Sequence, residues 1–338
     1  MNKEYTVGSM FAGIGGICLA FKKAGFKIRW ANEIDKNACI TYRKNHPDNG
    51  LIEEDVHNIQ NPLDIGYVDV ITAGFPCQAF SLAGYRNGFK DPRGNLFFET
   101  ARFIESIKPE AFFLENVKNL AGHDKGKTLK IIKDTIIKEL GYSFIPFILN
   151  SKDFGNTPQT RERIYIVGFK NEAYVSYYNI EDADKRKYSN TRTYNFKIPD
   201  PIPLTKNITD CINYNKQDKR FYYLCDHMYY NILKTEMTKK DTVYQWRRVY
   251  VRENKSNLCP TLTANMGTGG HNVPLIIDDY GIRKLTPKEC LNFQGFPDNF
   301  NFPDDMAISH CYKQAGNSVV VPVVERIAEN IKKVLDIK

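Results

Sequence analysis

Cys77 stands in Gly74-Phe75-Pro76-Cys77-Gln78-Ala79-Phe80-Ser81, directly after the apolar run Val68-Asp69-Val70-Ile71-Thr72-Ala73. A cysteine attacks as its thiolate, whereas a free cysteine is among the most buried residue types, so the neighbours decide between a reactive and a structural thiol. Pro76 fixes its own φ and biases Phe75 toward an extended backbone, which stiffens the turn that would present the thiol. The stretch from Leu82 to Gly94 is glycine-rich and basic, the composition of a loop that closes over a substrate. Glu115 ends the run Ala111-Phe112-Phe113-Leu114. There it is either partly desolvated and suited to share a proton near neutrality, or a strand end in water. Arg161 and Arg163 alternate in Gln159-Thr160-Arg161-Glu162-Arg163, so an extended backbone points both the same way. Such a pair can hold a phosphate or a base carbonyl, or can pair with surface acids.

Strand ends must position these groups. The run ending at Ala73 reads as a buried parallel strand, which puts Cys77 just past its carboxyl end, where open α/β sheets bind ligands. A first strand, Tyr5 to Phe11, enters Ala12-Gly13-Ile14-Gly15-Gly16 and a helix to about Lys23. Backbone N–H groups at such a turn can meet an anionic or carboxylate-bearing cofactor, or the glycines serve only the turn. Cys18 stands where a dinucleotide fingerprint would want its third glycine. A second strand, about 27–32, leads to Glu33-Ile34-Asp35. Either Glu33 is placed to accept from ribose hydroxyls, with Ile34 offering an apolar face to a base, or Glu33 is a solvated strand end and Asp35 the N-cap of a helix near 36–44. A third strand ends at Glu54-Asp55-Val56, where Asp55 takes a hydrogen bond from an adenine amino group or simply starts a turn. Helices follow over about 95–107 and 128–140, with strands near 143–149 and 163–169. Gln314 to Pro322 opens an amphipathic C-terminal helix to about Leu335, with Asn317 and Ser318 as its expected cap.

The 338 residues are 25% charged and 42% hydrophobic, which argues against wholesale disorder and leaves room for two domains. The net charge of +8 suggests a polyanionic partner. No pair among the eight cysteines has Cys-x-x-Cys spacing, so the expectation is reduced thiols in a cytoplasmic protein and no metal. No signal peptide opens the chain, and no apolar run approaches the roughly 20 residues of a membrane span. Between about 171 and 260 the character changes: 16 Lys and Arg stand against 11 Asp and Glu, with 12 of the 20 tyrosines. Basic residues among aromatics suit phosphate contact and base stacking; a loosely organised surface insertion would read the same way. Cys259 to His271 is a polar, glycine-rich loop.

With these residues laid out, the chain resembles the DNA cytosine-C5 methyltransferases of the bacterial restriction-modification type. Phe11-Ala12-Gly13-Ile14-Gly15-Gly16 is similar to that family's first motif, Glu33 and Asp55 to the next two, and Gly74 to Ser81 to its Pro-Cys motif. Glu115-Asn116-Val117 resembles its Glu-Asn-Val and Gln159 to Arg163 its Gln-x-Arg-x-Arg. Arg283 to Cys290 with Gln294 to Asp298 resembles its ninth motif, and Gly316-Asn317-Ser318-Val319 its tenth. Ile34 stands where many relatives carry an aromatic residue, and Ser9-Met10 where they carry Asp-Leu.

The resemblance implies a Rossmann-like, S-adenosylmethionine-dependent methyltransferase fold: an α/β domain of a mostly parallel sheet flanked by helices, plus a smaller irregular target-recognition domain. The catalytic and cofactor-binding domain is expected at 1–172 and 310–338, target recognition at 173–282, and a hinge segment at 283–309. Cys77 is implied to attack C6 of a cytosine flipped out of duplex DNA, with Glu115 binding N3 and the amino group. Arg163 would bind the cytosine carbonyl, and Arg161 would steady the Cys77 loop and a DNA phosphate. S-adenosylmethionine contacts are implied at Phe11, Gly13, Gly15, Gly16, Glu33, Ile34, Asp55, Val56, Pro76, Leu96, Asn317 and Ser318, and DNA contacts at Gln78, Ser81, Gln159 and Thr261. The expected partners are double-stranded DNA and a companion restriction endonuclease, with the protein a monomer. A tRNA cytosine-C5 methyltransferase shares these motifs, although the long Tyr-rich and Lys/Arg-rich insertion argues against it. A non-catalytic DNA-binding relative would have lost one of Cys77, Glu115, Arg161 or Arg163, and none is lost.

Overall fold

Ala111-Phe112-Phe113-Leu114 alternates between two hydrophobic layers, Ala111 and Phe113 in one and Phe112 and Leu114 in the other. A strand buried on both faces has this pattern because successive side chains point to opposite sides of the sheet. The computed structural model describes residues 3–75, 96–170, 196–247, 249–268 and 273–337. Seven strands form the main sheet: β1 (Thr6–Met10), β2 (Lys27–Glu33), β3 (Gly50–Glu53), β4 (Val70–Ala73), β5 (Ala111–Val117), β6 (Ile145–Asn150) and β7 (Glu162–Phe169). Their order is β3-β2-β1-β4-β5-β7-β6. β1 to β5 run parallel, and β7 is antiparallel to both its neighbours. Because β2 and β4 lie on opposite sides of β1, the order reverses there and opens a crevice at the strand carboxyl ends.

The described helices of eight or more residues here are α1 (Gly16–Lys23), α2 (Lys36–Asn45), α3 (Leu96–Ile107) and α4 (Lys127–Asp134). Buried residues of α1 share a layer with Val7, Val70 and Phe113, while α3 and α4 cover the other face through Phe97, Phe103, Leu129 and Ile132. The helix expected to reach 140 ends at Asp134 and continues as one wide π-turn, Thr135–Glu139. Asp35 caps α2 as expected, its carboxylate accepting from the Asn37 and Ala38 amides.

The rest of the chain adds α5 (Tyr230–Glu236), β8 (Tyr244–Arg247), β9 (Tyr250–Glu253), β10 (Leu275–Asp278), β11 (Gly281–Lys284), α6 (Pro287–Asn292), α7 (Ile308–Asn317) and α8 (Val321–Leu335). Asn317 and Ser318 do not cap the last helix, contrary to expectation. Asn317 is the last residue of α7, and α8 starts at Val321 after Val320, with Pro322 in its first turn and the Val321 amide donating to the Gln294 carbonyl. Helix α8 joins the α1 layer, and the Tyr5 hydroxyl donates to the Leu335 carbonyl at 2.6 Å, tying the two ends of the chain together.

A second, antiparallel sheet has the order β11-β10-β8-β9. One of its faces is packed by Tyr223, Leu233 and Met237 against Tyr244, Trp246, Leu275 and Ile282. Residues 196–212, within the stretch expected to be a recognition domain, pack on the main sheet instead: Phe196 lies against Phe147 and Phe169, and Arg326 donates to the Asp200 carbonyl.

Arg283 joins the two sheets' surroundings. It is fully buried, its Nε donating to Asp278 Oδ2 at 2.6 Å and its Nη atoms donating to both Glu289 oxygens at 2.8 Å. Its Nη2 also reaches the Asn213 carbonyl at 2.9 Å. One guanidinium thus fixes β10, α6 and the 213 segment in one geometry. Removing it leaves two buried carboxylates without a counter-charge, a loss of about 3–5 kcal/mol. We expect Arg283→Met to lower the urea unfolding midpoint by the corresponding amount.

Candidate active site

The ends of β1, β2, β4, β5 and β7 open on one cleft of about 440 Å³. The chain leaves β1 through Phe11, whose φ of 51° is rare for a bulky residue, and turns at Gly13 with φ 58°. Glu33 at the end of β2 pins this turn: its Oε2 accepts from the Gly13 amide at 2.7 Å, and its Oε1 from the Ile34 and Asp35 amides at 2.9 and 2.8 Å. Among the described residues, its chain neighbours aside, none lies within 4 Å of the place a Cβ would take on Gly13, so the backbone there is open on that side. Ile34 is 60% exposed, an apolar side chain standing free at the cleft edge. Leu96, Asn317 and Ser318 line the same cleft, and Lys313 bridges its rim to Asp35 at 2.8 Å.

The cleft continues to β5 and β7. Val117 pairs with Arg163, and Glu115 lies diagonally across on the same face. Arg163 Nε is 3.1 Å from Glu115 Oε1, with both side chains nearly buried at 13% and 12% exposure. The sequence places these two groups on strand ends but does not show that they meet. Asn116 points to the opposite face, where its amide donates to the Phe75 carbonyl at 2.8 Å. It therefore anchors the residue from which the Cys77 segment departs. That role went unread in the sequence, where only its position between Glu115 and Val117 marks it. Pro76, Cys77, Gln78 and Ser81 lie outside the described residues.

Arg161 is placed differently from its expected role at a DNA phosphate. It is 3% exposed, and its Nη atoms donate to the carbonyls of Leu262 at 2.6 Å, Gly316 at 3.2 Å and Ser318 at 2.5 Å. Burial, with Arg163's charge adding to it, pulls its pKa down to about 9, still high enough to keep the cation at neutral pH. Gln159, expected at DNA, is fully buried: its amide nitrogen donates to the Phe293 carbonyl at 3.0 Å and its oxygen accepts from the Leu262 amide at 3.3 Å. The Thr261 hydroxyl donates to the Thr160 carbonyl at 2.6 Å. Arg161 and Gln159 together hold the segment after the second sheet's hairpin against the cleft rim.

Asp55 and Val56 are not among the residues lining the cleft. Asp55 instead caps a short 3₁₀ turn, and its carboxylate is 2.6 Å from His57 Nδ1. Gly15 and Gly16 lie beneath the turn: a side chain on Gly15 would strike His46, and one on Gly16 would strike Ser318. His46 is 4% exposed, stacks 4.5 Å from Tyr42, and its Nε2 has no hydrogen-bond partner among the described residues. Burial pushes its pKa down to about 4, against the pull of a backbone hydrogen bond with Ile14. Among the described residues no group of three or more His, Cys, Asp or Glu side chains could hold a metal ion, and no helix is long and apolar enough to cross a membrane.

Comparison with known proteins places the chain in one family and one fold. Residues 5–333 match the family described as C-5 cytosine-specific DNA methylase. The Type II methyltransferase M.Bsp6I of Bacillus sp. (strain RFL6) is 55% identical over 331 residues, 97% of this chain and 98% of that one. The Type II methyltransferase M.HhaI of Haemophilus parahaemolyticus is 36% identical, over 97% of this chain and 94% of its own length. Among solved structures, S. pombe Dnmt2 methyltransferase shares the fold with a TM-score of 0.72 at 20% identity, covering 98% of this chain and 99% of that one. A Spodoptera frugiperda DNMT2 mutant gives 0.71 at 21% identity, covering 98% and 100%.

The buried His46 makes the glycine turn sensitive to acid. The folded protein keeps His46 neutral down to about pH 4, whereas the unfolded chain protonates it near 6.5, so the unfolded state binds the extra proton across that window. Stability is full above about pH 6.5 and falls by about 3 kcal/mol as the pH drops to about 4. Urea titrations across this range should show the slope, and His46→Gln should flatten it whatever its own offset in stability.

Proposed function

The chain belongs to the C-5 cytosine-specific DNA methylase family and is a DNA (cytosine-5-)-methyltransferase, and we propose that it modifies one short duplex sequence through a covalent Cys77 adduct. The observation that carries this reading is the Glu115–Arg163 pair, 3.1 Å apart in the cleft that also holds the Gly13–Glu33 turn. The family and fold go with S-adenosylmethionine, and the cleft fits it: Glu33 offers a carboxylate, Ile34 an open apolar face and Gly13 an accessible backbone. Phe11, Leu96, Asn317 and Ser318 complete its wall. Bound there, S-adenosylmethionine supplies an electrophilic methyl group.

The chain's own residues do the rest. Extruding a cytosine from duplex DNA costs a few kcal/mol, which contacts to the base must offset. The Cys77 thiolate forms a bond to C6, and negative charge develops over the ring toward N3 and C5. Glu115 meets the N3 edge and the amino group and holds a proton where that charge appears. Arg163 holds Glu115 through Nε and the Glu162 carbonyl through Nη1, which among the described residues leaves Nη2 for the base carbonyl. Loss of the C5 proton after methyl transfer expels the thiolate and restores the double bond. Asn116 fixes Phe75, so the segment carrying Cys77 leaves β4 from a held point.

We assign catalysis to 1–172 and 310–338, with residues 196–212 packed against them, target recognition to the remainder of 173–282, and the connection to 283–309. The Type II names of the relatives fit a modification enzyme working beside a restriction endonuclease, and we propose that this one acts as a monomer in the cytoplasm. Expression in a host lacking cytosine methylation, followed by bisulfite sequencing, tests the reading. The wild type should mark one short motif in duplex DNA, and Cys77→Ser should mark none while still binding it. Glu115→Gln should slow single-turnover methyl transfer by about 10²–10⁴-fold. Methylation of tRNA and not of duplex DNA would move the substrate assignment to RNA.

A further inference from the structure

Among the described residues strand β9 lies at an edge of the second sheet, and the β8–β9 register sorts the hairpin's side chains onto two faces. Tyr244, Trp246 and Val251 face the cluster with Leu233 and Met237. On the other face Val243 is buried in the large core, as is Ile276 of β10, and Arg283 of β11 lies on this same face. Outward along it come Gln245 opposite Arg252, then Arg247 opposite Tyr250. Gln245 is 9% exposed, Tyr250 is 55% exposed, and both arginines are exposed. This face is therefore covered at β10, β11 and the start of β8, and becomes open toward the hairpin tip at Arg247, Tyr250 and Arg252. The hairpin root, where the Asn254 amide donates to the Val243 carbonyl at 2.9 Å, leads directly to Cys259, which exchanges backbone hydrogen bonds with Pro158 and Thr160 beside the cleft rim.

The chemistry of this face is that of base recognition. A two-stranded ribbon fits the major groove, and an arginine fork matches O6 and N7 of guanine. Gln245 Oε1 accepts from Arg247 Nη2 at 3.1 Å, so a nearly buried amide already orients that fork. The hairpin's carboxylate, Glu253, lies on the opposite face and is engaged by Lys239 at 2.8 Å. We propose that Arg247 and Arg252 read guanines of the target sequence, with Gln245 as the positioning residue for Arg247. This inference rests on the reading of the chain as a methyltransferase of duplex DNA.

A duplex library randomised around a cytosine, methylated by purified enzyme and mapped by bisulfite sequencing, tests it. The wild type should give one motif. Arg247→Ala and Arg252→Ala should each methylate the same cytosine while losing about 10- to 100-fold discrimination at one G·C pair. Arg247→Lys keeps the charge but not the fork, and should relax the same position. Gln245→Ala should relax it less. Unchanged thermal melting of the variants ties these effects to recognition. A uniform loss of rate at every sequence, rescued by Arg247→Lys and accompanied by a salt slope smaller by about one, would make these phosphate contacts and overturn the inference alone. An unchanged motif and rate would also overturn it. A wild type inactive on every duplex would overturn the methyltransferase reading, and this inference with it.

Discussion

The buried Arg161 guanidinium is the interaction on which the arrangement of the cleft depends. It draws together three carbonyls from distant parts of the chain: Leu262, after the second sheet's hairpin, and Gly316 and Ser318, at the end of α7. Taking a cation out of water costs several kcal/mol, and hydrogen bonds to a charged donor return about 1.5–3 kcal/mol each, so three of them roughly offset the cost. The gain is geometric. Carbonyl ends aimed inward would be unsatisfied without the cation, and the cation would be uncompensated without them, so the three segments assemble together or not at all. Gln159 repeats the device with a neutral group, holding the Phe293 carbonyl and the Leu262 amide two residues before Arg161.

A second buried cation, Arg283, works on the other side of the same assembly. Asp278 and Glu289 outnumber it in charge, so the cluster is held by hydrogen bonds to both carboxylates, among them those from Tyr222, Thr286 and Asn213. Arg161 locates the segment that follows the hairpin, and Arg283 locates the sheet to which the hairpin belongs. The small unit is thereby fixed to the large one at two polar points set in an apolar seam of Leu262, Leu285, Cys290 and Phe293. Apolar packing alone is tolerant of shape changes, whereas fork-shaped hydrogen bonding is not. This is how a recognition surface can keep its distance from a cleft whose chemistry needs groups placed to within a fraction of an ångström.

Much of the cleft could be read from the sequence because strand ends are local events. The apolar runs before Glu33, Gly74 and Glu115, the glycines at 13 and 15, and Asp35 as a cap follow from periodicity and turn chemistry over a few residues. The resemblance to a methyltransferase family added roles to positions already marked. What stayed hidden depends on contacts between residues far apart in sequence. Nothing near Arg161 shows that it faces carbonyls about a hundred and more residues away, so a surface role at a phosphate was the natural expectation. Gln159 is hidden in the same way, its partners Phe293 and Leu262 lying more than a hundred residues along the chain. Asn317 and Ser318 are good capping residues by type, but the chain extends past them before α8 begins, and the Gln294 carbonyl accepts from the Val321 amide. His46 carries no local signal at all; its importance comes from the glycine turn folded on top of it.

The placement of the hairpin would let side chains of the proposed recognition surface change without disturbing the groups on β5 and β7. The groups that would touch the base sit on β5 and β7, two central strands buried on both sides, where any change in volume disturbs two cores at once. Arg247, Tyr250 and Arg252 sit on an edge hairpin that enters the large core at its root, through Val243, to whose carbonyl the Asn254 amide donates. Its inner face is sealed independently by Tyr244 and Trp246 against the residues around α5. Side chains on the outer face can therefore change with little effect on either core, while the backbone register that aims them is preserved. The buried Gln245 is the exception, because it is both part of that face and nearly enclosed. A substitution there changes the orientation of an exposed arginine without itself meeting a ligand, which makes it the point where stability and recognition are coupled most closely.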